Sequence, residues 1–303
     1  MSIPYPVPQG AQSSSTLAPL AERVPPQSYF VISAIFHYLG PAFAALLFYF
    51  VEPLGVAWLR IASASLLFAI WRRPWRMARR LKMRERLVVI GLGISLALMN
   101  VCFYLSIARL PLATVGAIEF LGPIALAAAG AHSRRNVSAL LLATGGVYLL
   151  TQVRLLGEPL GYLFAFANCL LFVLYIVLGH RIAAVGCAEA IDRLGAAMLV
   201  AAVVAAPFGL REAFPAFRDP ILLLAAIGVG ISSSVIPYVA DQLAMARLPR
   251  ASFALMLSVL PATATAIGFL VLRQVPRPIE LLGIGLVIVA VALHRPVRRT
   301  AEA

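Results

Sequence analysis

The stretch 96–130 carries a single acidic residue, Glu119, in an otherwise apolar run. A charge at the middle of a bilayer costs roughly 2.5–3.5 kcal/mol on insertion scales, so it faces a protein interior rather than lipid. There it either stays protonated and caps a neighbouring helix, or serves a substrate or a proton. The second is the expectation. A carboxyl that exchanges its proton for a substrate ammonium is the simplest coupling device, which makes Glu119 the candidate proton-coupling residue. Gly122 and Pro123 follow within one turn. A proline removes one backbone bond and leaves a carbonyl free, a cradle for an ammonium beside the carboxylate.

Other polar groups fall inside apolar runs. Asn100 and Tyr104 stand four residues apart, hence on one helix face. They either bond a neighbouring helix or line a binding site. Arg60 either snorkels outward or takes a substrate carboxylate in a planar fork. The run 221–246 is the most polar, with Ser232, Ser233, Ser234, Pro237, Tyr238, Asp241 and Gln242. Tyr238 and Asp241 are candidate substrate contacts there, though Asp241 is close enough to the end of its run to read also as a wetted gate. Pro123, Pro237 and Pro261 are the candidate helix breaks. The hydroxyls of Thr263 and Thr265 are expected on their own backbone carbonyls. Arg193, preceded by Asp192, is the candidate equivalent of Arg60 in the second half, with a structural ion pair as the expectation. His37 reads as a packing or hydrogen-bonding residue.

These groups need a scaffold, and composition names it. With 62% hydrophobic residues, 12% charged residues and a mean hydropathy of +0.93, the chain does not read as a soluble globule. Its net charge of +13 is not a nucleic-acid footprint, because the basic residues sit between apolar runs. Cys102, Cys169 and Cys187 lack the spacing of a metal site or a disulfide framework, so no metal and no cofactor are expected. Residues 1–28 are proline-rich, carry only Arg23 as a positive charge, and read as a disordered tail.

Apolar runs fall at 29–50, 54–71, 87–107, 112–131 and 137–153, then at 159–179, 188–208, 221–246, 251–272 and 279–294. Each matches the length of a transmembrane helix. The expected fold is an all-α polytopic membrane protein of ten spans. Short links make successive spans antiparallel, and the basic residues then orient them. The link 72–86 holds eight, and placing it in the cytoplasm assigns 17 Lys and Arg inside against 6 outside. Both termini, including the tail 295–303, are then cytoplasmic.

The chain also repeats itself. Ile90-Gly-Leu-Gly-Ile-Ser95 returns as Ile227-Gly-Val-Gly-Ile-Ser232, and Ala108-Arg-Leu-Pro111 as Ala246-Arg-Leu-Pro249. Pro123 and Pro261 follow at matching places. The offset is 137 to 138 residues, or five spans. An odd number of spans inverts the second copy, so 29–153 and 159–294 read as two inverted five-helix repeats with a site where they meet.

Four segments carry a resemblance: Trp58-Leu-Arg60, the run from Met99 to Pro111, Ala117-Ile-Glu-Phe-Leu-Gly-Pro123, and Ile236-Pro-Tyr238. They resemble the EamA-type branch of the drug/metabolite transporter superfamily, and within it the bacterial threonine/homoserine exporters. The resemblance implies export of amino acids or similar metabolites across the inner membrane, driven by proton exchange. It also implies a central cavity lined by spans 1–4 and 6–9. It leaves a homodimer open. Two departures stand out. Leu260 occupies a place where family members often carry glutamate, and Leu272-Arg-Gln274 replaces a Leu-Gly-Glu pattern. Loss of two acids keeps open an exporter or facilitator of aromatic amino acids or drug-like compounds.

A membrane-embedded enzyme is disfavoured. His132, His180 and His294 lie at links or span ends, no His/Asp/Glu cluster appears, and no phosphate-binding loop of the Walker type is present. The expected partners are a small-molecule substrate, protons and the lipid bilayer, with no nucleic acid.

Overall fold

The computed structural model describes residues 24–110, 112–129, 133–151, 158–260, 263 and 277–294. Among them every regular element is helical. The helices are α1 (Pro26–Leu47), α2 (Pro53–Arg72), α3 (Trp75–Ala78), α4 (Met83–Ile107), α5 (Leu112–Ala129) and α6 (Arg134–Thr151). There follow α7 (Pro159–Ala183), α8 (Cys187–Gly209), α9 (Phe214–Arg218), α10 (Pro220–Gly230), a π-helical turn at Ile231–Val235, α11 (Ile236–Met245), α12 (Arg250–Met256) and α13 (Pro278–Leu293).

Local chemistry explains the punctuation. Pro53, Pro159 and Pro220 open α2, α7 and α10, where a missing N–H costs nothing. Asp219 caps α10 by accepting from the N–H groups of Ile221 (2.8 Å) and Leu222 (3.4 Å). Gly186 turns the chain between α7 and α8 at φ 115°, a conformation that favours glycine. Among the described residues five stretches are long and apolar enough to cross a membrane: Pro53–Arg72, Met83–Ser106, Pro159–Ala183, Cys187–Gly209 and Pro220–Met245. Pro123 lies inside α5, which runs from Leu112 to Ala129 without the break expected there; Pro261, Thr265, Leu272 and Gln274 lie outside the described residues.

The helices pack in reciprocal pairs. α4 packs on α7, and α11 on α1; α4 packs on α8, and α10 on α2. Three further contacts, α2 with α8, α5 with α12 and α6 with α13, join elements in matching places of the two sequence copies. The largest apolar core runs through this arrangement, with Phe30, Phe68, Leu92, Leu96, Ile176 and Leu194 all buried.

Glycines allow the closest approaches. A Cβ at Gly93 would collide with the Ala197 carbonyl and Val200 of α8, while one at Gly230 would collide with the Arg60 carbonyl and Ser63 of α2. Each of these three pairs, 93 and 230, 197 and 60, 200 and 63, differs by 137 in number. The counterpart of Arg60 by contact is therefore Ala197, which corrects the assignment to Arg193. Arg193 instead donates to Glu85 at 2.7 Å, and Asp192 pairs with Arg72 at 2.5 Å, so the two residues clamp α8 to the ends of α4 and α2.

Pro237 marks the irregular part of its span, but the irregularity begins one turn earlier. At Ile231–Val235 the helix widens, and the Ile236 N–H bonds five residues back to the Ile231 carbonyl. Ser232 and Ser233 direct their hydroxyls at the carbonyls of Gly228 (2.9 Å) and Val229 (2.5 Å). The repeat offset is 137 up to Ser95 and Ser232, and 138 from Ala108 and Ala246 onward. The second copy thus holds one extra residue in the interval that contains the widened turn, and a π turn is how a helix absorbs an insertion.

Candidate functional site

Arg60 is buried in α2 and donates through Nη2 to the Asn100 Oδ1 of α4. Asn100 is held in that orientation because its own Nδ2 donates to the Leu96 carbonyl one turn back, at 2.7 Å. The guanidinium carbon stands 6.0 Å from the centroid of the Tyr104 ring, a cation–π distance. The Tyr238 side chain of α11 also interacts with this guanidinium. Its ring meets that of His37 from α1 edge-on, with centroids 6.3 Å apart. Arg60, Asn100, Tyr104 and Tyr238 are therefore gathered at one place. Arg60 Nε and His37 Nδ1 are buried there without a protein partner.

Asp241 lies one turn along α11 from Tyr238 and is 2% exposed. Its carboxylate accepts from Ser33 of α1 (2.5 Å) and from the Tyr175 hydroxyl of α7 (2.9 Å). The wetted-gate reading of Asp241 is thereby corrected. Distance from a helix end does not measure exposure when α1 and α7 pack over the side chain. Tyr175 and Tyr238 lie with ring centroids 5.7 Å apart, and Phe172 stacks on Tyr175 at 6.0 Å. A guanidinium and a carboxylate are thus connected across the interior through two tyrosines.

Glu119 stands apart from this group. It is half-buried in α5 and accepts from Asn168 Nδ2 of α7 at 3.1 Å. Asn168 is fully buried, and its Oδ1 has no protein partner. Gly122 lets α5 approach α7 beside Cys169 and Val173. Ser234, Gln242 and Ser258 add three buried polar atoms, Oγ, Oε1 and Oγ, without a protein partner. Such groups cost about 1–3 kcal/mol each when nothing meets them.

Sequence reasoning missed Ser33, Asn168 and Tyr175. The available signal was the seven-residue interval between Asn168 and Tyr175, two turns of one helix, which puts both on one face. Among the described residues no cluster of His, Cys, Asp or Glu is arranged to hold a metal ion.

The threonine/homoserine exporter RhtA of Escherichia coli K12 is 31% identical over 258 residues, spanning 83% of this chain and 84% of the relative. The chain belongs to the EamA-like transporter family. That family's pattern itself matches residues 159–294, the second of the two sequence copies. RhtA of Salmonella typhimurium LT2 is 29% identical over 257 residues, with the same coverage of 83% and 84%. One solved crystal structure superposes with a TM-score of 0.67 at 20% identity, covering 88% of this chain and 96% of its own. At that identity the likeness is one of fold alone. As an EamA-like transporter the chain is a multi-pass membrane protein, and its buried polar groups lie within apolar helices.

Proposed function

We propose that this transporter exports threonine- or homoserine-like amino acids, or related small zwitterions, across the bacterial inner membrane by proton antiport. The observation that carries the reading is the buried span from Arg60 to Asp241. A zwitterion needs a cation for its carboxylate and an acid for its ammonium. Arg60, with Nε free and Asn100 and Tyr104 beside it, is the carboxylate end. Tyr238 lies between the ends, and Asp241 is the ammonium end. Glu119 carries the coupling proton. It is reached through the same helix face that holds Asp241, since Asn168 and Tyr175 bond the two acids.

The architecture proposed for this work is ten spans in two inverted repeats, 29–153 and 159–294, with both termini cytoplasmic. The reciprocal helix contacts and the matching collisions at Gly93 and Gly230 support it. Alternation of the inverted halves around a fixed mid-membrane site is how such a plan moves a solute.

A second reading, an aromatic or drug-like solute, has one observation in its favour. Leu260 is buried among apolar side chains at the place where the family resemblance expects an acid. Counterflow in proteoliposomes decides between them. Preloaded threonine or homoserine should drive uptake of labelled threonine; if only aromatic solutes do so, the zwitterion reading falls. Acceleration by an imposed proton gradient is the further requirement of antiport.

A further inference from the structure

A groove of about 430 Å³ lies where the α2–α4 link folds against α4 and α8. That size suits a small-molecule ligand. Its walls are apolar, formed by Val89 and Ile90 of α4 and by Leu199 and Val200 of α8. Its rim is different: Trp75, Arg79 and Arg86. Among the described residues no acid forms an ion pair with the rim cations. Asp192 is taken by Arg72, and Glu85 by Arg193 and the Lys82 N–H. The Arg86 guanidinium donates through Nη2 to the Arg79 carbonyl (3.0 Å), which sets the two arginines side by side.

We propose that this groove binds one anionic phospholipid. The phosphate sits on Arg79 and Arg86, and an acyl chain lies along the wall of α4 and α8. Charge complementarity identifies the occupant: an apolar trough alone fits any chain, but two unneutralised guanidinia at its mouth select a negative head. Trp75, 45% exposed, is the amphipathic ring expected at headgroup depth. The site does not depend on the transport reading and lies on the outside of the helix bundle. Basic pockets between helices at a membrane face recognise lipid heads in this way.

Native mass spectrometry of the full chain in detergent tests it, using phosphatidylglycerol and phosphatidylcholine with identical acyl chains. The expected result is retention of one phosphatidylglycerol in preference to phosphatidylcholine. The double substitution Arg79→Ala with Arg86→Ala should weaken that preference about thirtyfold, the scale of two basic groups at a lipid surface. The exposed pair Arg76→Ala with Arg80→Ala should leave it in place. Equal retention of both lipids by the unaltered protein overturns the proposal, as does a preference that survives loss of Arg79 and Arg86. Glycerol 3-phosphate, which has the head but no chain, should not displace the lipid at equal concentration. Displacement by it would make the site one for a free phosphate ester and overturn the proposal as well.

Discussion

Asn168 and Tyr175 stand on one face of α7, and each donates a hydrogen bond to a different acid, Glu119 and Asp241. Two turns of helix separate them, about 10 Å along the axis. One helix therefore touches both the acid proposed to carry the proton and the acid proposed to hold the ammonium. A movement of α7 relative to α5 or α11 would alter both bonds together.

Glu119→Gln keeps the shape of the protonated acid and retains a partner for Asn168. The purified variant should still exchange substrate across proteoliposomes, while export driven by an imposed proton gradient is abolished. Gradient-driven export at normal rates would move the coupling role to Asp241.

Asp241→Asn removes the charge and keeps one of the two acceptor oxygens that Ser33 and Tyr175 meet separately. The half-saturation concentration for a zwitterion should rise roughly tenfold or more, as for loss of a charged hydrogen-bond partner. Tyr175→Phe should have a smaller effect in the same direction, about fivefold, from one lost bond. Binding of a labelled amino acid to both purified variants measures this. Unchanged affinity in the Asn variant would remove Asp241 from the ammonium end.

Arg60→Lys retains a cation but loses the planar fork that meets Asn100 and the ring of Tyr104. Normal membrane levels with substrate affinity weakened about tenfold are expected. Transport assays with cell-surface quantification would reveal the alternative, unchanged affinity, which sinks the carboxylate role.

The paired glycines give a stability test. In each Gly-x-Gly copy only the second is tight: Gly93 and Gly230 meet opposing backbone, Gly91 has ordinary contact, and Gly228 has open space around it. Gly93→Ala and Gly230→Ala should each destabilise by about 1–3 kcal/mol through overpacking, and Gly91→Ala and Gly228→Ala should not. Thermal unfolding in detergent reads the difference. Equal effects within a pair would mean that the helices do not approach as described.

A reporter active only outside the cytoplasm, fused after residue 303, should give no signal if both termini are cytoplasmic. A strong signal would reverse the orientation drawn from the basic residues.

Much of this was legible in the sequence, because apolar run length and basic links follow from the bilayer itself. Arg60, Asn100, Tyr104 and Tyr238 could be singled out since polar groups do not face lipid, and they do meet. What remained hidden depended on neighbours. Asp241 read equally as a substrate contact or a wetted gate, because a position along one helix carries no information about α1 and α7 packing over it. Asn168 and Tyr175 were lone polar residues in an apolar run, without meaning until their partners were known. Arg193 matched Arg60 in residue type, but contact geometry pairs Arg60 with Ala197, where the second copy has no charge at all.

The widened turn at Ile231–Val235 has a consequence for the working cycle. In the proposed inverted plan, two identical halves would be related by a two-fold rotation, and the inward-open and outward-open forms would be equal in energy. Here α4 runs without interruption through Met83–Ile107, while its counterpart takes up an extra residue beside Gly40 and Gly230. The extra residue joins Arg60 opposite Ala197 and Glu119 opposite Leu257 among the differences that keep the two copies from being interchangeable, so the two faces of the transporter need not open with equal ease.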